Sequence, residues 1–152
     1  MATQFTIGVF GIIKDENNRV LLCLRHDYDF WNLPGGGLED KEYPWQGVIR
    51  EVKEETGLDV DVVRLIWIYP KQDKNEIVFS FACKVIGGEI QLNEEAKDIK
   101  YFSYDTLPKN TPPKNIERIK DALKDNDEVV MMAQTWQTTM ERYKEENFLS
   151  HK

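Results

Sequence analysis

The chain has 152 residues, a formal net charge of −7 and a pI near 4.9. That length suits a single domain, 1–152, that buries its own core, and the acidic balance excludes a general binder of nucleic-acid polymers, whose affinity depends on basic contacts. No apolar run approaches the roughly 20 residues needed to span a bilayer, and the opening MATQFTIGVF lacks the basic region and apolar core of a secretory signal, so a cytoplasmic protein without a membrane partner is expected.

In chain order, QFTIGVFGII and RVLLCLR are β-rich runs separated by the turn residues KDENN and are expected to form an antiparallel pair. Pro34 and the three glycines 35–37 then predict a loop whose backbone approaches something closely. A helix is predicted from about Pro44 to Thr56, with Pro44 in its first turn and Gly57 as the left-handed residue after it. Further strands are predicted in VDVVRLIWIY, in EIVFSFACKVI beyond the turn KQDKN, and in IKYFSY. Helical segments are predicted over about 113–147: one after Pro112 and Pro113 with Ile116, Ile119 and Leu123 on one face, and one from about Asp127 to Asn147. Strands with helices inserted between them give an α/β class, a mixed sheet in an α+β or α/β/α layered domain. Cys23 and Cys83 lie in separate strand-like runs without ligand spacing and are expected as buried, reduced thiols.

On a helical wheel Trp45, Val48, Ile49 and Val52 fall on one side and are expected to face the sheet. Glu51 and Glu55 project on the flank of that face, with Glu54 a step further and Arg50 beyond it. Like charges at these spacings repel by roughly 0.2–0.5 kcal/mol per pair. Glu54 and Glu55 also sit in the last turn, where the helix dipole disfavours each carboxylate by roughly 0.3–1 kcal/mol. A solvated acidic face is one reading; the other is a divalent cation such as Mg²⁺, which takes carboxylate and phosphate oxygens and offsets the repulsion. The adjacent glycine-rich backbone favours the cation.

The same residues carry a resemblance. Gly36, Glu42, Arg50, Glu51, Val52, Glu54, Glu55, Gly57 and Leu58 match every fixed position of the Nudix box, G-x5-E-x7-R-E-U-x-E-E-x-G-U, across residues 36–58. The preceding WNLPGGGLE and the later EEAKDIKYFSYDTLP also resemble the stretches that flank the box in MutT-like members of this family, so the likeness runs from about Thr6 to Pro108. It implies a Nudix-type α/β/α sandwich with a mixed sheet and a loop–helix–loop motif, and a hydrolase that cleaves a nucleoside diphosphate linked to another moiety with Mg²⁺ or Mn²⁺. Residue by residue it implies metal ligation by Gly35, Glu51, Glu54, Glu55 and Glu95. Arg50 would orient a catalytic glutamate, and Gly36, Glu42 and Gly57 would serve as structural or outer-shell positions. Glu51 and Glu95 are both candidates for the general base; Glu95 is preferred to Glu94 on its spacing to Tyr101 and Phe102. A surface ion pair between Arg50 and Glu54 is the plainer reading of that arginine.

Substrate identity is less legible. Aromatic residues in HDYDFW, Phe30 among them, suit a nucleobase and Arg25 suits a phosphate, while Trp31 reads as core. A nucleoside triphosphate, oxidised or not, is the leading expectation, with nucleotide-sugar or dinucleotide hydrolysis and non-catalytic nucleotide binding as alternatives. The isomerase branch of the fold is disfavoured because neither cysteine lies in a counterpart of its catalytic segment. Gly47 and Val48 depart from the small alanines common at that part of the box helix. In the final segment Val129, Met132, Ala133, Trp136, Met140 and Tyr143 form a helical-period stripe. It is expected to pack on its own sheet, with homodimer formation or a cover over the substrate cleft as alternatives.

Overall fold

The structure, a computed structural model, describes residues 2–124 and 126–133, Gln72 by its backbone only. Among the described residues eight strands and two α-helices follow in the order β1 (Thr6–Ile13), β2 (Val20–Arg25), β3 (Trp31–Asn32), β4 (Gly35–Gly37), α1 (Pro44–Thr56), β5 (Leu58–Lys71), β6 (Glu76–Gly88), β7 (Ala96–Phe102), α2 (Pro113–Ala122) and β8 (Val130–Met131). A mixed five-stranded sheet runs β4-β1-β6-β5-β8, with β1 parallel to β6, and a three-stranded antiparallel sheet runs β3-β2-β7. The class is α/β.

Strand alternation divides the interior in two. Val9, Ile13, Leu21 and Cys23 join one core with Val48 and Val52 of α1, whereas Ile12, Val20 and Leu22 join the other with Ile119 and Ala122 of α2. Consecutive residues of β1 and β2 thus serve opposite faces, and each face is covered by a helix, which is why both strands read as nearly continuous apolar runs. Cys23 and Cys83 are buried free thiols, as expected. Among the described residues no helix is long and apolar enough to cross a membrane.

Four expectations need correction. First, β1 and β2 are not a paired hairpin: apart from a single bridge between Lys14 and Val20 they belong to different sheets. The turn between them is as tight as its residues predict, since Asp15 Oδ1 accepts from the N–H groups of Asn17 and Arg19 at 3.0 and 2.9 Å and Asn18 has φ 62°. Beyond the turn each strand finds a better ladder, β1 with β6 and β2 with β7.

Second, Gly35–Gly37 is a short edge strand, not a loop, pairing Gly8 with Gly37, Val9 with Gly36 and Phe10 with Gly35. The close approach inferred from the glycines is real, because a β-carbon at Gly35 would run into the Val9 carbonyl.

Third, the buried stripe of α1 is Gly47, Val48, Val52, Glu55 and Thr56, while Trp45 and Ile49 remain 51% and 36% exposed. The helix is rotated so that Glu55 lies within the buried stripe and not on its flank. Trp45 instead stacks on Tyr43, with ring centroids 5.0 Å apart.

Fourth, residues 127–133 do not begin a helix. Val130 and Met131 extend the sheet parallel to Trp67 and Ile68 of β5, as two β-branched valines beside an open edge favour. The rest of the expected helix, with Trp136, Met140 and Tyr143, lies outside the described residues.

Candidate active site

Helix α1 is delimited as its sequence dictates. Gln46 accepts from the Tyr43 N–H at 3.0 Å at its start. At its end Gly57, at φ 81°, donates its N–H to the Lys53 carbonyl at 3.0 Å. A side chain at Gly57 would strike the Glu89 carbonyl. Gly47 is explained by crowding, since a β-carbon there would stand 2.6 Å from Leu38 Cδ1 and 2.9 Å from Glu42 Oε1. The loop before the helix packs directly on it.

Arg50 organises this junction. Its Nε and Nη2 grip Glu42 at 2.7 and 2.9 Å, and Nη2 also donates to the Gly37 carbonyl at 3.1 Å. Nη1 donates to Glu51 at 3.0 Å and to Glu54 at 3.2 Å. The surface pair with Glu54 therefore exists, as one contact among several. This grip holds the Glu42 carboxyl below the usual carboxylate range and raises the guanidinium pKa further.

Glu51 is half-buried against β4, and burial pushes its carboxyl up while the hydrogen bond from Arg50 opposes the shift. Glu55 is 5% exposed. Burial, reinforced by the Glu51 and Glu95 carboxylates and opposed by Arg25 and by the Gly35 N–H that hydrogen-bonds it, pushes its carboxyl up to about 8. Glu95 is exposed on the segment before β7, close enough that Glu51 and Glu55 both feel its charge.

That segment is tied down by Asn93, which sequence reasoning missed. Its Nδ2 donates to the last carbonyls of α1, those of Glu54 and Glu55, at 3.0 Å each, and its Oδ1 accepts from the Glu95 N–H at 2.8 Å. The signal was an asparagine two residues before the acid, a turn-forming position.

A cavity of about 250 Å³ opens beside these carboxylates. Gly35, Gly36 and Glu55 contribute to its wall from the box side; Phe10, Arg25 and Asn32 contribute from β1, β2 and β3, and Tyr28 and Leu33 from the segments that flank β3. Arg25 is paired with Asp27 at 3.0 Å and lies over the Tyr28 ring, 5.3 Å from its centroid. Phe30, expected at the substrate, is only 5% exposed and does not line the cavity; Tyr28 does. The backbone of this short segment turns the Phe30 ring inward, where its centroid lies 6.1 Å from that of Tyr28. Trp31 is core, edge-on to Phe102 at 4.9 Å.

The donor chemistry fits a hard divalent cation: the side chains gathered here are carboxylates, and a buried carboxyl raised to about 8 is one that a cation stabilises in its charged form. Among the described residues no three acidic, histidine or cysteine side chains stand in ligating geometry. Arg50 engages one oxygen of Glu51 and one of Glu54, so the second oxygen of each is the one that a cation or a water would meet.

The NUDIX domain model matches residues 4–125. The chain belongs to the Nudix family. Over 118 residues, 78% of this chain and 77% of the relative, it is 34% identical to a MutT-like protein of Streptomyces ambofaciens. It is 37% identical to the ADP-ribose pyrophosphatase of Methanocaldococcus jannaschii over 68% of this chain, a match that spans 64% of that relative's length. In structure it is similar to a UDP-X diphosphatase, with a TM-score of 0.74 and 26% identity over 87% of this chain and 68% of the other. The protein is thus a Nudix hydrolase, of a family that generally uses divalent metal ions.

Proposed function

We propose that this Nudix hydrolase is a metal-dependent pyrophosphohydrolase of nucleoside diphosphate derivatives, and that it converts a nucleoside triphosphate and water to the monophosphate and diphosphate. The observation that carries this reading is the cavity beside Glu55 and Gly36. At about 250 Å³ it lies just under the roughly 300–1,000 Å³ usual for small-molecule pockets. It has room for one nucleoside, with the phosphates extending over the carboxylates, and none for a second.

Gly35, Glu54 and Glu55 would hold Mg²⁺ or Mn²⁺, joined by Glu95 where Glu51 is the base and by Glu51 where Glu95 is. When bound, the ion would neutralise the diphosphate and acidify a water. Glu51 is the preferred base: it is half-buried and oriented by Arg50 Nη1 at 3.0 Å, so one carboxylate oxygen is held while the other takes the proton from the attacking water. Glu95 is the alternative base. Arg25 meets the phosphate chain from the cavity side. Oxygen from water bonds to the α-phosphorus, the bond to the bridging oxygen breaks, and diphosphate leaves.

Incubation with Mg²⁺ and a panel of nucleoside triphosphates, nucleotide sugars and dinucleotides, followed by chromatography, tests the reading. Monophosphate and diphosphate from a triphosphate are expected. Turnover confined to ADP-ribose or nucleotide sugars would overturn the substrate assignment.

A further inference from the structure

Three buried polar side chains, one in the cavity wall and two behind it, form a relay that the box does not include. Arg118 Nη1 donates to Asn115 Oδ1 at 3.3 Å, Asn115 Nδ2 donates to Asn32 Oδ1 at 3.1 Å, and Asn32 Nδ2 donates to the Phe30 carbonyl at 3.2 Å. All three are nearly inaccessible, at 2%, 1% and 8% exposure. The relay has one sense only. A guanidinium can only donate and a carbonyl can only accept, so both ends force the same orientation on the two amides between them. Arg118 also lies over the rings of Phe10 and Tyr69, 5.0 and 4.3 Å from their centroids. Phe10 and Asn32 both line the cavity beside Glu55. One buried cation therefore fixes an aromatic ring and an amide in the same wall.

A buried guanidinium is costly for a fold to keep, and apolar side chains of similar volume commonly stabilise a core as well or better. A ring for stacking and an amide of fixed polarity are what recognition of a nucleobase requires. We propose that the cavity receives the base of a mononucleotide and that Arg118, acting through Asn115, is the positioning residue that sets which base it accepts by fixing the amide of Asn32 in the wall. The proposal rests on the nucleotide reading above but not on hydrolysis.

The test measures binding of the four common nucleoside 5′-monophosphates, and of ribose 5-phosphate as a probe without a base, to the metal-free full chain by calorimetry. Wild type is expected to bind its preferred nucleotide at least about tenfold more tightly than ribose 5-phosphate and than the least favoured base. Asn115→Asp keeps an acceptor for Arg118 but removes the donor to Asn32. It is expected to stay folded with a lowered melting temperature, because Asn32 loses a buried donor, while the spread among bases falls below about threefold. Asn32→Asp, which replaces the amide donor by an acceptor, is expected to change the order of preference and decides the matter if Asn115→Asp does not fold. An unchanged ranking in the folded variants would overturn the proposal, as would ribose 5-phosphate binding as tightly as the nucleotides. If wild type ranks the bases yet hydrolyses no triphosphate with Mg²⁺, the hydrolytic reading fails and this inference stands. Turnover without base discrimination sinks this inference alone.

Discussion

Gly36 lies directly against the carboxylate of Glu51: a β-carbon added to the glycine would stand 2.6 Å from Oε1 and 2.8 Å from the carboxyl carbon. Strand β4 and helix α1 meet so closely here that the side chain of one residue occupies the space that the other leaves.

Gly36→Ala is therefore expected to displace Glu51 without unfolding the protein, because the atoms it meets belong to the far end of a flexible side chain. Turnover should fall on the order of 10²-fold, the usual effect of moving a reacting group by about an ångström. Circular dichroism and steady-state kinetics check this pair of outcomes. Wild-type turnover in a folded variant would remove Glu51 from the chemistry.

Arg50→Lys tests the junction. Lysine keeps the charge but cannot reproduce the fork on Glu42 together with the bonds to Glu51 and Glu54. Urea denaturation is expected to show a loss of about 1–2 kcal/mol, discounted from the value of charged hydrogen bonds for the partial exposure of this site. Turnover should fall as well, because Glu51 loses its orienting donor. A loss of stability alone would make Arg50 purely structural.

Much of this site was legible because its chemistry is local in sequence. The limits of α1, the grouping of Glu51, Glu54 and Glu55 and the left-handed Gly57 all follow from spacing within one helix and its cap. The rotation of that helix was not legible. Trp45 and Ile49 are as apolar as Val48 and Val52, and only the packing of Gly47 beneath Leu38 shows which of them faces inward and that Glu55 goes with them. The partners of β1 and β2 were hidden for a related reason: a tight turn predicts a reversal, but the choice of ladder depends on strands more than fifty residues away. Asn93 and the Asn32–Asn115–Arg118 relay escaped because their meaning lies in long-range contacts, 83 residues apart in the case of Asn32 and Asn115.

The buried Glu55 predicts an unusual pH dependence for the metal-free protein. Its carboxyl titrates near 8 in the folded state against an ordinary value of 4.5, so between those values the folded chain holds a proton that the unfolded chain has lost. Stability then falls as pH rises through this window, by up to about 1.4 kcal/mol per unit, and levels off above it. Glu51, raised in the same direction, adds to the slope. Thermal denaturation with a chelator from pH 5 to 9 should show the decline, and Glu55→Gln should flatten it and weaken Mg²⁺ binding. A wild-type profile flat across the window would mean that Glu55 is ionised in the folded protein without help from a cation.

On the proposed chemistry the carboxylates of α1 direct water to the α-phosphorus of a nucleotide seated in the adjacent cavity, and the position of the label after reaction in ¹⁸O-water reports that step. With Mg²⁺ and a nucleoside triphosphate, mass spectrometry is predicted to find the label in the monophosphate and none in the diphosphate. Label in the released phosphate or diphosphate would instead place the attack farther along the phosphate chain and rule out attack at the α-phosphorus.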